Sequence, residues 1–154
     1  MSPTLPRRGL FASVFAGFGT VLGPVLAGRA EAGPIAPDRA KVVYHLSDLD
    51  KVNFVLGNIK NHFDGMGGPD KVTIALVVHG PALKAFQSAS ANPDLSKRLG
   101  SFAKDGLELM ACGRTMEAQN ITLSDLLPGF VVADKGGVVR IAELQSQGYV
   151  YLKP

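Results

Sequence analysis

The chain of 154 residues predicts a three-layer α/β sandwich with a mainly parallel, five-stranded sheet. Two observations predict it. Short β-branched or apolar runs alternate with helical stretches after residue 40, and the connections between them are short. The second of those runs, Val72 to Val78, is apolar nearly throughout, as suits a strand covered on both faces.

Each element follows in order. Lys41 to Leu46 is β-branched and reads as the first strand. Ser47 or Asp48 can cap a helix that runs to about Phe63. Val52, Val55, Leu56, Ile59 and Phe63 recur at three and four, giving that helix one core-facing stripe. Asp64 to Asp70, with three glycines, reads as a loop before the second strand. A helix is expected from Pro81 to about Ser88, and after the break at Asn92-Pro93 another from Leu95 to Ala103. Leu107 to Cys112 reads as the third strand. A short helix from Thr115 to Gln119 and a turn over Leu123 to Leu127 lead to a fourth strand, Phe130 to Ala133. Gly136-Gly137 reads as a helix-entry turn, Val138 to Gln147 as the last helix, and Tyr149 to Leu152 as the fifth strand.

The stretch before this domain has a different character. Arg7-Arg8 precedes an uncharged stretch from Leu10 to Gly28, and Ala30-Glu31-Ala32 fits a small-residue cleavage site. Residues 1–32 therefore read as a signal peptide, with the arginine pair favouring twin-arginine export to the periplasm. The alternative is an uncleaved membrane anchor, against which Gly23-Pro24 interrupts the apolar stretch. Residues 33–40 read as an extended lead-in, and 41–154 as the folded domain.

Cleavage changes the charge argument. The whole chain has 16 Lys+Arg against 13 Asp+Glu, net +3. Arg7, Arg8, Arg29 and Glu31 precede the cut, leaving 13 basic and 12 acidic residues, net +1. No basic cluster with interleaved aromatics remains, so nucleic acid is not an expected partner, nor is a membrane once the leader is gone. No cofactor is expected either. Gly65-Met66-Gly67-Gly68 lacks the Gly-Lys-Ser/Thr ending of a phosphate loop.

The chemistry-bearing candidates lie at strand ends, where open parallel sheets place their sites. His45 is near the end of the first strand, His79 follows the second, and Cys112 ends the third. Cys112 is the single cysteine, so no disulfide can form within the chain. A helix beginning just after it would favour the thiolate. Arg114 offers a cation two residues on, and the Thr115 hydroxyl can bond the sulfur or cap the following turn. Two functional readings stand beside a bland one. The thiolate can act as a nucleophile, or His45, His79 and Cys112 can bind zinc or copper. In the bland reading, each histidine caps its strand, Cys112 is an inert core residue, and Arg114 is a solvated charge.

The chain resembles the DsrE/DsrF-like family. The likeness rests on Val43-Tyr44-His45-Leu46, Asn58-Ile59-Lys60-Asn61-His62 and Val77-Val78-His79-Gly80-Pro81. It continues through Ala111-Cys112-Gly113-Arg114-Thr115-Met116 and the closing block Leu144 to Pro154. The likeness is nearest to the exported, single-domain members. The resemblance implies a DsrE-like, flavodoxin-like fold and a homo-oligomer, a trimer or hexamer. It also implies sulfur handling, with Cys112 carrying a persulfide and exchanging it with a sulfur-donor or acceptor protein or a small donor. Cys112 is the only residue in the chain able to carry that role.

Overall fold

A computed structural model describes residues 39–154, so the leader and most of the lead-in lie outside the described residues. Five strands form one sheet: β1 (Ala40–Leu46), β2 (Val72–Val78), β3 (Glu108–Cys112), β4 (Phe130–Ala133) and β5 (Val150–Leu152). Their order is β4-β3-β2-β1-β5, and every pair is parallel. Four α-helices accompany them: α1 (Val52–Met66), α2 (Pro93–Lys104), α3 (Gly113–Gln119) and α4 (Gly137–Ser146). Among the described residues, no helix is long and apolar enough to cross a membrane.

Strand alternation divides the core in two. Val42, Tyr44 and Leu46 of β1 face the larger cluster, which also takes the stripes of α1 and α2 and Met116 of α3. Val43, Ala75, Val77 and Met110 face the smaller cluster, closed by Ile141 and Leu144 of α4. The topology accounts for this inequality. Successive strands from β1 to β4 advance in one direction, so right-handed crossovers put their helices on one face. The return from β4 to β5 runs the other way and puts α4 on the opposite face. Neighbouring strands β3 and β4 therefore send their chains to opposite faces.

Several boundaries differ from expectation. The first helix does not start from a Ser47 or Asp48 side-chain cap. Leu49–Lys51 forms a 3₁₀ turn first, and neither α1 nor that turn has a side-chain cap bond. At its other end α1 passes Phe63 and reaches Met66. Gly67 then takes φ 88°, and the Gly68 N–H bonds the Phe63 carbonyl at 2.9 Å, so the glycines close a helix instead of forming the whole loop. The segment after β2 is a 3₁₀ helix, Gly80–Phe86, not an α-helix. α2 begins at Pro93, with the Asn92 side chain accepting from the Asp94 N–H at 2.8 Å. α3 begins at Gly113 directly after Cys112, not at Thr115. Ala40, expected in the lead-in, already belongs to β1.

Candidate functional site

Cys112 ends β3 and is the N-cap residue of α3, with extended backbone (φ −66°, ψ 114°). It points to the α4 side of the sheet, two residues on from Met110, and is 6% exposed. The sulfur is nevertheless not in an apolar setting. Burial raises its pKa, but the nearby Thr115 hydroxyl and the N–H groups of Gly137, Thr115 and Arg114 lower it by a larger amount, and the thiol lies below its usual range. Cys112 makes no side-chain cap bond to the first turn of α3. Two of those N–H groups belong to the first turn of α3, and the Gly137 N–H opens α4. The starts of α3 and α4 thus both lie beside Cys112.

Glycine makes that placement sterically feasible. A methyl at Gly137 would lie 3.3 Å from Cys112 Cβ, 3.3 Å from Val77 Cγ1 and 3.5 Å from His79 Cβ. Gly136 before it takes φ 105°, a conformation side chains disfavour.

Thr115 is fixed from behind. Its Oγ1 accepts the Gly80 N–H at 3.0 Å. Gly80 is held in turn by Gln119, whose Nε2 donates to the Gly80 carbonyl at 2.9 Å. Arg114 departs from expectation. Its guanidinium is exposed and pairs with Glu117 at 3.1 Å, so its contribution to the sulfur is its backbone N–H and not its cation.

His45 and His79 come together one and two strands away from Cys112. The backbone N–H of His79 bonds the Leu46 carbonyl at 3.0 Å, extending the β1–β2 ladder past its end. The two rings stack at 4.6 Å with Nε2 against Nε2, and His45 Nδ1 meets the Tyr151 hydroxyl at 2.7 Å. Burial lowers both histidine pKa values. His45 falls to about 4, with repulsion from His79 and Lys153 adding to burial and Asp48 opposing; His79 is lowered by burial and Lys153, again against Asp48. Both imidazoles are therefore neutral at neutral pH.

Of the expected trio, His45 and His79 pair with each other. His79 shares the Gly137 contact with Cys112, yet neither imidazole is among the sulfur's hydrogen-bond donors. Among the described residues, no group of three His, Cys, Asp or Glu side chains is placed to hold a metal ion, so the metal-binding reading of His45, His79 and Cys112 finds no centre here. Sequence reasoning missed Tyr151, Gln119 and the sulfur contact of Gly137. Only Gly136-Gly137 carried a signal, as a helix-entry turn.

Comparison with known proteins agrees with the fold. No curated protein matches the chain. A protein of unknown function, MTH1491, from Methanobacterium thermoautotrophicum is 25% identical, with a TM-score of 0.66 over 75% of this chain and 99% of that one. BT1422 from Bacteroides thetaiotaomicron, a conserved protein of unknown function, is 16% identical with a TM-score of 0.56, covering 74% of this chain and 94% of its own. The ychN protein from E. coli is 11% identical with a TM-score of 0.52, covering 75% and 99% respectively. The model of the DsrE/DsrF-like family matches residues 44–154, from the middle of β1 through Cys112 to the last residue, and the chain belongs to that family.

Proposed function

We propose that this protein is a sulfur carrier that works through Cys112. Membership in the DsrE/DsrF-like family points in general to sulfur-relay chemistry, and the placement of the single thiol at the end of β3, between the starts of α3 and α4, is the observation that carries the specific reading. The thiolate attacks the outer sulfur of a persulfide, R–S–SH. A new S–S bond forms at Cys112, the donor's S–S bond breaks, and R–S⁻ leaves. An acceptor thiolate repeats the exchange in reverse order and regenerates Cys112. No oxidant is consumed, because sulfane sulfur moves at a constant oxidation state.

The same groups that lower the thiol's pKa favour the persulfide anion that replaces it. Thr115 contributes through its hydroxyl, and Arg114 through its main chain. His79 and His45, held neutral, serve as proton acceptors for thiols approaching Cys112. The 6% exposure of Cys112 favours a small donor or a narrow, cysteine-bearing segment of a partner. The leader of residues 1–32 supports export to the periplasm, and the family resemblance supports a trimer or hexamer. The test is intact mass. After exposure to a small-molecule persulfide, the native protein gains one sulfur per chain and Cys112→Ser gains none; an unchanged wild-type mass contradicts the reading.

A further inference from the structure

We propose that the pocket beside Gly136 is a subsite for the amino-acid end of a small persulfide donor, with Arg140 taking its carboxylate and Asp134 its ammonium group. The proposal rests on the reading that Cys112 accepts sulfur, and it adds the chemical class of the donor.

The pocket has a volume of about 290 Å³ and runs along β4 and the start of α4, where Asp134, Lys135, Gly136, Arg140 and Glu143 line it together with Met110 of β3. Cys112 borders it at Gly136. A methyl on Gly136 would lie 4.0 Å from the Cys112 sulfur, and glycine leaves that space open. A φ of 105° disfavours any side chain there.

The charges around the pocket are unequally satisfied. Glu143 is engaged on both oxygens, accepting from Lys135 at 3.2 Å on Oε1 and from Arg140 Nη1 at 3.3 Å on Oε2. Arg140 is half-buried, with its side chain 32% exposed. Its Nε is directed at the Met110 thioether at 3.3 Å, a weak acceptor, and among the described residues its Nη2 has no hydrogen-bond partner. Asp134 takes part in none of the ion pairs around it, which join Arg114 to Glu117 and both Lys135 and Arg140 to Glu143. One pocket thus holds a guanidinium edge with donors to spare and a carboxylate without a cation. A simple anion would meet Asp134 and Glu143, and a simple cation would meet Lys135 and Arg140. A zwitterion complements both signs, its carboxylate on Arg140 and its ammonium on Asp134.

Spacing sets the size of the donor. Arg140 touches the Met110 sulfur, and Cys112 follows Met110 by two residues on the same face of β3. Two residues of strand span roughly 7 Å. An α-amino acid with its sulfur on the β- or γ-carbon covers that span. In the transfer, the Cys112 thiolate attacks the outer sulfur, the donor S–S bond breaks, and the amino-acid thiolate leaves and takes a proton from water. Charges held away from the reacting sulfur raise the second-order rate of loading.

The experiment measures that rate by intact mass in the full native protein. Three donors are compared: cysteine persulfide, the persulfide of 3-mercaptopropionate, which lacks the ammonium, and the persulfide of cysteamine, which lacks the carboxylate. Each rate is divided by the rate of the same donor with a free thiol in solution, which removes differences in intrinsic reactivity. Cysteine persulfide is expected to lead each of the others by about three- to fivefold, the range of a partly exposed ion pair. Arg140→Gln is expected to erase its lead over the cysteamine donor, and Asp134→Asn its lead over the mercaptopropionate donor. Arg140→Met, which keeps the aliphatic stem, replaces Arg140→Gln if that variant does not fold. A zwitterion no faster than the other two, or a lead that survives either substitution, overturns the subsite and leaves Cys112 as the carrier. A wild type that no donor loads overturns both.

Discussion

Cys112 and the histidine pair show how differently two kinds of site residue announce themselves. The positions of Cys112 at the end of β3 and of Thr115 in the first turn of the following helix are legible in the sequence, because an apolar run ends there. The role of Arg114 is not legible. Its side chain goes to Glu117, and its contribution is a backbone N–H, which any residue carries. The histidines are legible as strand-end residues, but not as a stacked pair, since their pairing depends on β1 and β2 being neighbours. That pair makes the fold sensitive to acid. An unfolded imidazole titrates near 6.5, and folded His45 titrates at about 4. Between those values the unfolded chain binds more protons, so stability falls as pH drops from 6.5 towards 4. Denaturant titrations over that range are expected to show the decline, and His45→Gln to flatten it. A wild-type curve that is flat, or that rises on acidification, contradicts the neutral stacked pair.

At the scale of elements, the strands are the most legible parts, because their apolar runs are short and bounded by turn residues. β2 and β4 occupy the expected residues. Helix starts are less legible. A 3₁₀ turn precedes α1 where Ser47 and Asp48 offer polar side chains, and the glycines after Phe63 close a helix that propensity alone would end sooner. The element with most bearing on the site is α4. It has no side-chain cap at its start, and its Gly137 packs against Cys112. Gly137→Ala tests this placement. The added methyl meets Cys112 Cβ and Val77 Cγ1 at 3.3 Å, so α4 must move away from β3. The expected cost is about 1–3 kcal/mol of stability, as for overpacking elsewhere, together with a higher Cys112 pKa. A variant as stable as wild type, with an unchanged pH profile of Cys112 alkylation, shows that the contact between α4 and Cys112 is not needed.

The whole molecule adds what no single element contains, which is strand order. The order β4-β3-β2-β1-β5 brings the ends of β1, β2 and β3 side by side and sends the chain after β3 and β4 to opposite faces. Sequence alone gives the alternation that implies a parallel sheet, not which strands are neighbours, so the placement of Cys112 between α3 and α4 emerges only in three dimensions. The proposed leader, residues 1–32, belongs to this scale too, since export would decide which thiols Cys112 meets. Export predicts that protein recovered from the periplasm begins near Gly33, and that replacing Arg7 and Arg8 with lysine retains it in the cytoplasm with its leader. Full-length protein in the cytoplasm of cells carrying the unmodified sequence contradicts export. The central claim, that Cys112 carries sulfur, is tested most directly by peptide mass mapping of native protein before and after an acceptor thiol is added. After loading with a persulfide, the Cys112 peptide is predicted to bear one additional sulfur and to lose it to the acceptor; a Cys112 peptide that never gains the sulfur contradicts the account.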